Sequence, residues 1–286
     1  MFIAAMGAAF TGMAAAVFYD STHFIRREYT VYSDKIRKNS KVLLLSDLHN
    51  KSYGADNRKL LAAIDRIRPD FIVAAGDMVT ANGEKTRCEV PVMLLKELAG
   101  RYPVYYGMGN HEHKMKICHK LYGDMFEKYK RELEKCDVRF LENEKIYLPE
   151  YNMEICGLEI DRRFYKRLGR ENMEKEYMER LIGKAKEDCF ELLIGHNPDY
   201  FGTYAKWGAD LTVSGHIHGG VVRLPFLGGV ISPALRLFPK YDGGMFEEGE
   251  KRMVLSRGLG MHTVPLRAFN PGELVVIHCR RVTVQP

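Results

Sequence analysis

No two of the six cysteines stand at Cys-x-x-Cys spacing, so neither a zinc ribbon nor a thioredoxin-like redox motif is supported. Cys88, Cys118, Cys136, Cys156, Cys189 and Cys279 are scattered instead, several in apolar or helical stretches where a small thiol packs as a hydrophobe. Unpaired thiols suit a reducing compartment. The chain also lacks internal repeats, low-complexity tracts, a long basic face and a run of stacking aromatics, so a nucleic acid is not an expected partner. Neither sign of charge dominates. A net charge of +6 and a pI near 8.9 favour anionic ligands or membrane surfaces only slightly. With 46% hydrophobic and 28% charged residues, disorder and a disulfide scaffold are excluded, and 286 residues suffice for one large core.

Charge is missing altogether from Met1 to Tyr19. As a helix this span measures roughly 28 Å, just short of a hydrocarbon core of about 30 Å. The expectation is a membrane anchor or signal segment at 1–19, a connecting segment at 20–40 and a catalytic domain at 41–286. No Lys or Arg precedes the apolar stretch, which disfavours a cleaved signal peptide, although Ala14-Ala15-Ala16 offers a cleavage site. A buried terminal helix is the third reading. Arg26 and Arg27 follow the segment, which places the catalytic domain of a membrane-anchored protein in the cytoplasm, export being the alternative.

The run Val42-Leu43-Leu44-Leu45 predicts a buried strand that turns polar at Ser46-Asp47. From Asp56, as N-cap, Leu60, Leu61, Ile64 and Ile67 recur at helical spacing until Pro69. Phe71 to Ala75 predicts a second strand, Glu89 to Ala99 a helix and Val104 to Tyr106 a third strand, the βαβ pattern of parallel strands. Helices are expected over Asp124 to Cys136 and Glu171 to Glu187, with an antiparallel pair between them at Ile146 to Leu148 and Met153 to Ile160. Strands at Glu191 to Ile194, Leu211 to Val213, Arg252 to Leu255 and Glu273 to His278 complete a two-sheet α/β core with helices on its outer faces.

Five of these strands end on metal-capable side chains: Asp47 and His49; Asp77; Asn110 and His111; His196; His216 and His218. Side chains at the carboxyl ends of strands converge on one crevice. Gly76, Gly109, Gly195 and Gly215 stand just before them, where a tight turn or a close backbone approach needs no Cβ. Carboxylate, amide and imidazole without thiolate suit divalent Mn, Fe, Zn or Co rather than a structural zinc. One carboxylate shared by two metals about 3.5–4 Å apart would let both polarise a phosphoryl group and hold a bridging hydroxide.

The segments Asp47-Leu48-His49, Gly76-Asp77, Gly109-Asn110-His111-Glu112, Gly195-His196 and Gly215-His216-Ile217-His218 resemble those of the calcineurin-like metallophosphoesterases. The resemblance implies a four-layer αββα sandwich and two divalent metal ions, Mn, Fe or Zn. It implies that Asp47, His49 and His218 hold one ion, that Asn110, His196 and His216 hold the other, and that Asp77 bridges them. It further implies that His111 contacts the phosphate and protonates the leaving oxygen, with Glu112 supporting it. Ser46 before the first ligand, Gly219-Gly220 after the last and Ser256-Arg257-Gly258-Leu259-Gly260 resemble small bacterial members with one hydrophobic N-terminal segment. Some of these resemble the pyrophosphatases that cleave UDP-2,3-diacylglucosamine. The expected substrate is accordingly a phosphorylated small molecule or lipid and the protein a monomer, with a tethered scaffold of the same fold or a nuclease as alternatives.

Arg162, Arg163, Lys166, Arg167 and Arg170 form a dense basic patch after a predicted strand, suited to a substrate phosphate or anionic lipid and equally to an exposed loop. Arg257 suits a phosphate clamp, because a guanidinium matches two phosphate oxygens, with a surface salt bridge as the competing reading. The stretch from Val221 to Phe246 is rich in apolar residues, glycine and proline. It is expected either as a lip for an acyl chain or as a loop packed on the sandwich edge. His113 and His119 are expected to be solvated.

Overall fold

Alternate residues of the apolar runs enter two different cores, the period-two placement that a strand imposes. The computed structural model describes residues 2–166, 169, 171–220, 223–224, 228–230, 238–261 and 267–282, the side chains of residues 2–10 and 13 excepted. In the first part of the chain, helix α1 (Phe2–Thr22) leads into strands β1 (Phe24–Ser33) and β2 (Ser40–Leu45). Helix α2 (Arg58–Ile67), β3 (Phe71–Ala75), α3 (Glu89–Ala99) and β4 (Val104–Gly107) follow, then α4 (Asn110–Ile117), α5 (His119–Tyr122), α6 (Met125–Glu134) and β5 (Val138–Leu141). The later part runs β6 (Lys145–Leu148), β7 (Met153–Leu158), α7 (Lys175–Ile182), β8 (Phe190–Gly195), α8 (Phe201–Trp207) and β9 (Leu211–Ser214). It continues with the two-residue strands β10 (Arg223–Leu224) and β11 (Gly228–Gly229), and then β12 (Gly244–Glu248), β13 (Lys251–Leu255) and β14 (Gly272–Arg281).

Two six-stranded sheets result, in the orders β1-β14-β2-β3-β4-β5 and β12-β13-β9-β8-β7-β6. Strands β2 to β5 are parallel, as are β13, β9, β8 and β7. Val42, Leu44, Phe71 and Val73 meet Leu192, Ile194, Leu211 and Val213 in the core between the sheets. Leu43, Leu45, Ile72 and Ala74 face outward to α2, α3, α4 and α6, while Leu193 and Cys156 face α7 and α8. The layers are therefore helix, sheet, sheet, helix. Each fully buried Leu, Ile or Val contributes about 1.5–3 kcal/mol, and both faces of the central strands are filled.

Several expectations change. The segment 20–40, expected as a connector, supplies β1, which pairs along its whole length with β14. Its charged residues Arg26, Arg27 and Glu28 hide it in the sequence, although charges are how an edge strand avoids further pairing. Asp56 is not the N-cap of α2; it lies in a preceding 3₁₀ turn at φ 52, and Asn57 takes the cap position. The helix expected over Glu171 to Glu187 is limited to α7, which stops at Gly183, at φ 70. The expected membrane segment at 1–19 falls in α1, much of it among side chains outside the described ones; among the described residues no helix is long and apolar enough to cross a membrane.

Candidate metal centre

The chain enters the site through backbone conformations that few residues tolerate. Asp47, His49, Asp77, His216 and His218 all have φ between 46 and 75. The left-handed region costs a side chain with a Cβ energy, and Asp, Asn and His bear it best. Two glycines allow the turns to approach one another. A Cβ on Gly109 would overlap the Asp77 carboxylate, and one on Gly215 would overlap Ser46 and Asp47.

The turns bring the expected residues together. His49 Nε2 is 3.2 Å from His218 Nε2, and His218 Nε2 is 3.4 Å from Asp47 Oδ1. Asp77 Oδ2 is 3.2 Å from His196 Nε2, 3.9 Å from His49 Nε2 and 4.0 Å from His111 Nε2. Two three-residue groups with metal-ligand spacing follow: Asp47, His49 and His218, and Asp77, His196 and His216. Asp77 also groups with His49 and so faces both clusters. Metal–ligand bonds of about 2.0–2.2 Å place two donors on one ion roughly 3–3.5 Å apart, close to the spacings seen.

The ring nitrogens are assigned by their backbone partners. His196 Nδ1 faces the carbonyl of Ala75 at 2.6 Å and so keeps its proton, and Nε2 is the nitrogen that would serve a metal once its own proton has left. That Nε2 is close to Asp77 without being aligned for a hydrogen bond. His111 is opposite. The Ala81 N–H donates to its Nδ1 at 2.8 Å, so the proton of the neutral ring sits on Nε2. Although the spacing of His111, His49 and Asp77 alone would admit an ion, this tautomer makes His111 a donor and not a ligand.

A metal fits the remaining groups. Asn110 Oδ1 is buried and has no hydrogen-bond partner among the described residues, a cost that a cation would remove. Burial opposes ionisation of Asp77, yet His196, His111 and His49 hold its carboxyl well below the ordinary range. Burial pushes Asp47 up to about 6, with repulsion from Asp77 adding to it and His196 opposing. His196 resists charging because it is buried, but Asp77 and Asp47 raise it to about 10. Burial and the neighbouring His196 lower His216 to about 3. Carboxylates and imidazoles competing for too few protons are what divalent cations would stabilise.

The calcineurin-like phosphoesterase family matches residues 40–220, more than half of the chain. This chain belongs to the calcineurin-like phosphoesterase family. It is similar to the uncharacterized metallophosphoesterase YkuE of Bacillus subtilis (strain 168), with 27% identity over 241 residues covering 82% of this chain and 77% of the relative. An uncharacterized metallophosphoesterase of Aquifex aeolicus (strain VF5) is 28% identical over 283 residues, 97% of each chain. Among solved structures, the NAD nucleotidase of Haemophilus influenzae superposes with a TM-score of 0.41 at 14% identity, over 77% of this chain and 51% of that one.

In the phosphoesterase, Glu112 does something other than support His111. Its carboxylate accepts the N–H groups of Asp77 at 2.8 Å, Met78 at 2.9 Å and Gly109 at 3.1 Å, and the Tyr106 hydroxyl at 2.7 Å. It thus ties the turn after β3 to the start of α4. Burial, with repulsion from Asp77, pushes Glu112 up to about 7. Sequence reading also missed Asn270, which donates from Nδ2 to the carbonyls of His218 and Gly220, both at 2.7 Å. Asp20, at the end of α1, accepts the Asn270 N–H at 2.8 Å. Buried Arg267 donates to the carbonyls of Arg257, Gly258 and Gly260, behind Asp47.

Of the expected substrate contacts, Arg162 and Arg163 line an open cleft of about 500 Å³ beside Asn110, with Lys166 and also His113, Lys114 and Tyr165, which were not expected there. His113 is partly buried rather than freely solvated, its Nδ1 facing Glu159 Oε1 at 2.6 Å, whereas His119 is exposed. Arg257 is partly committed elsewhere. Its N–H donates to Glu273 at 3.0 Å, and its Nε lies 3.6 Å from the same buried carboxylate. Arg167, Arg170 and, from the stretch expected as an acyl-chain lip, residues 221–222, 225–227 and 231–237 lie outside the described residues.

Proposed function

We propose that the phosphoesterase hydrolyses a phosphate ester or pyrophosphate bond with two divalent metal ions. Asp47, His49 and His218 would hold one ion, Asn110, His196 and His216 the other, and Asp77 would serve both. The observation that carries this reading is the position of the Asp77 carboxylate, within 3.9 Å of a histidine from each group. Imidazole, carboxylate and amide donors without thiolate suit Mn, Fe or Zn. When bound, such ions supply Lewis acidity toward the phosphoryl oxygens and the attacking water.

The chain's own residues do the rest. The Ala81 N–H keeps the His111 proton on Nε2, the nitrogen nearer Asp77 and so the reacting group. From there His111 donates to a phosphoryl or leaving oxygen, the role of a positioned general acid. The Asp47 carboxylate accepts the His216 N–H at 3.0 Å, so the loops carrying the two ligand groups hold each other in register.

Turnover of 4-nitrophenyl phosphate by the Mn-loaded protein tests this. Asp77→Ala should reduce it to the level of the metal-stripped protein, a larger loss than the about 10–100-fold typical of a residue behind a ligand. Activity retained in that variant would refute the shared role of Asp77.

A further inference from the structure

The cleft beside Asn110 leads directly out of the metal centre. Helix α4 starts at Asn110, and His113 and Lys114 follow at the i+3 and i+4 positions that place side chains on one helical face. The opposite wall is the 3₁₀ turn Arg162–Tyr165. At its inner end the Tyr165 ring lies edge-on to His216, with ring centres 5.2 Å apart. A volume of about 500 Å³ is of the size that small-molecule ligands occupy.

Its charge is unbalanced. Glu171 faces both Arg163, at 3.3 Å, and Lys166, at 3.4 Å. Glu159 is taken up by His113 and Lys116. Lys114 reaches the Ala81 carbonyl at 3.3 Å, and neither it nor Arg162 has a carboxylate partner among the described residues. Two cations that have no carboxylate partner among the described residues and line a cleft attract an anion, and a guanidinium can bind two phosphate oxygens at once.

We propose that this cleft binds a second phosphoryl group of the substrate while the first is hydrolysed at the metal centre. The favoured substrates are then bis-phosphorylated or pyrophosphate-linked small molecules rather than simple monoesters. This rests on the phosphoesterase reading. In the hydrolysis a water oxygen forms the new P–O bond, and the old P–O bond breaks with its electron pair on the leaving oxygen. That oxygen takes up a proton, and the phosphate product keeps the water oxygen. Lys114 and Arg162 take no part in the bond changes; they decide which molecule is held.

The test is calorimetric binding of fructose 1,6-bisphosphate and fructose 6-phosphate to the Mn-loaded full chain. The pair differs by one phosphoryl group, and binding is read whether or not either compound is turned over. The expected result is a Kd for the bisphosphate about tenfold or more lower, narrowing as salt is raised. Lys114→Glu combined with Arg162→Glu should abolish the preference, while Arg162→Lys should keep most of it. Measured metal content shows that each variant retains its folded centre. Equal affinity for the two sugars, or a preference that survives charge reversal, would overturn the proposal. Failure of the wild type to hydrolyse 4-nitrophenyl phosphate would instead count against the phosphoesterase reading.

Discussion

His196 and His216 belong to one cluster yet are driven to opposite protonation states, His196 up to about 10 and His216 down to about 3. The metal-free protein should feel this. A histidine whose folded pKa is raised above its unfolded value of about 6.5 gives stability that is complete below that value. The stability is lost as pH climbs through the folded pKa. Between about pH 7 and 9, His196 therefore costs the metal-free chain up to about 1.4 kcal/mol for each pH unit. In the metal-loaded chain its Nε2 is a ligand, and binding strengthens as protons leave. Thermal unfolding across this range should show a falling midpoint for the chelator-treated protein and a flatter or rising one after Mn is added. Parallel curves would contradict the ligand role of His196. At this scale the site was largely legible, since Asp, His and Asn follow apolar strands visibly. What was hidden is supplied by the backbone: the Ala81 N–H that fixes His111, and the left-handed φ at five of the site residues.

Among the elements, the loop after β9 is the most demanding. His218, Gly219 and Gly220 have φ of 56, 70 and 87 in succession, and Asn270 holds the carbonyls on either side of Gly219. Asn270→Ala would strand two carbonyls, with a cost of about 1–3 kcal/mol for each that stays buried and unmet. Competition with a chelating dye should then show one of two ions bound more weakly, by about 10–100-fold. Unchanged affinity for both would remove Asn270 from the account of the site. Helices α2 and α3 and strands β3 and β8 were legible because one period, 3.6 or 2, dominates each. Strand β1 was not, because Arg26, Arg27 and Glu28 mask its alternation, and its partner β14 lies about 250 residues later in the chain. The start of α4 was hidden for another reason: Asn110 and His111 read as turn residues, yet they open a helix whose third residue is the Glu112 clamp.

The whole molecule turns two sheets into one site. Strands β2, β3 and β4 of one sheet, and β8 and β9 of the other, each end beside the centre, and the core between the sheets holds their ends in register. The two-sheet core could be read from five apolar runs, each ending on a polar, metal-capable residue. The close of the first sheet by β14 and β1 could not, because no local pattern specifies a pairing over that separation. The account stands on a centre for two ions, and counting them is its most direct test. Metal-stripped protein titrated with Mn or Zn should bind two ions per chain, and His49→Ala and His196→Ala should each bind one while remaining folded. A single ion in the folded wild type, or both ions retained by either variant, would contradict it.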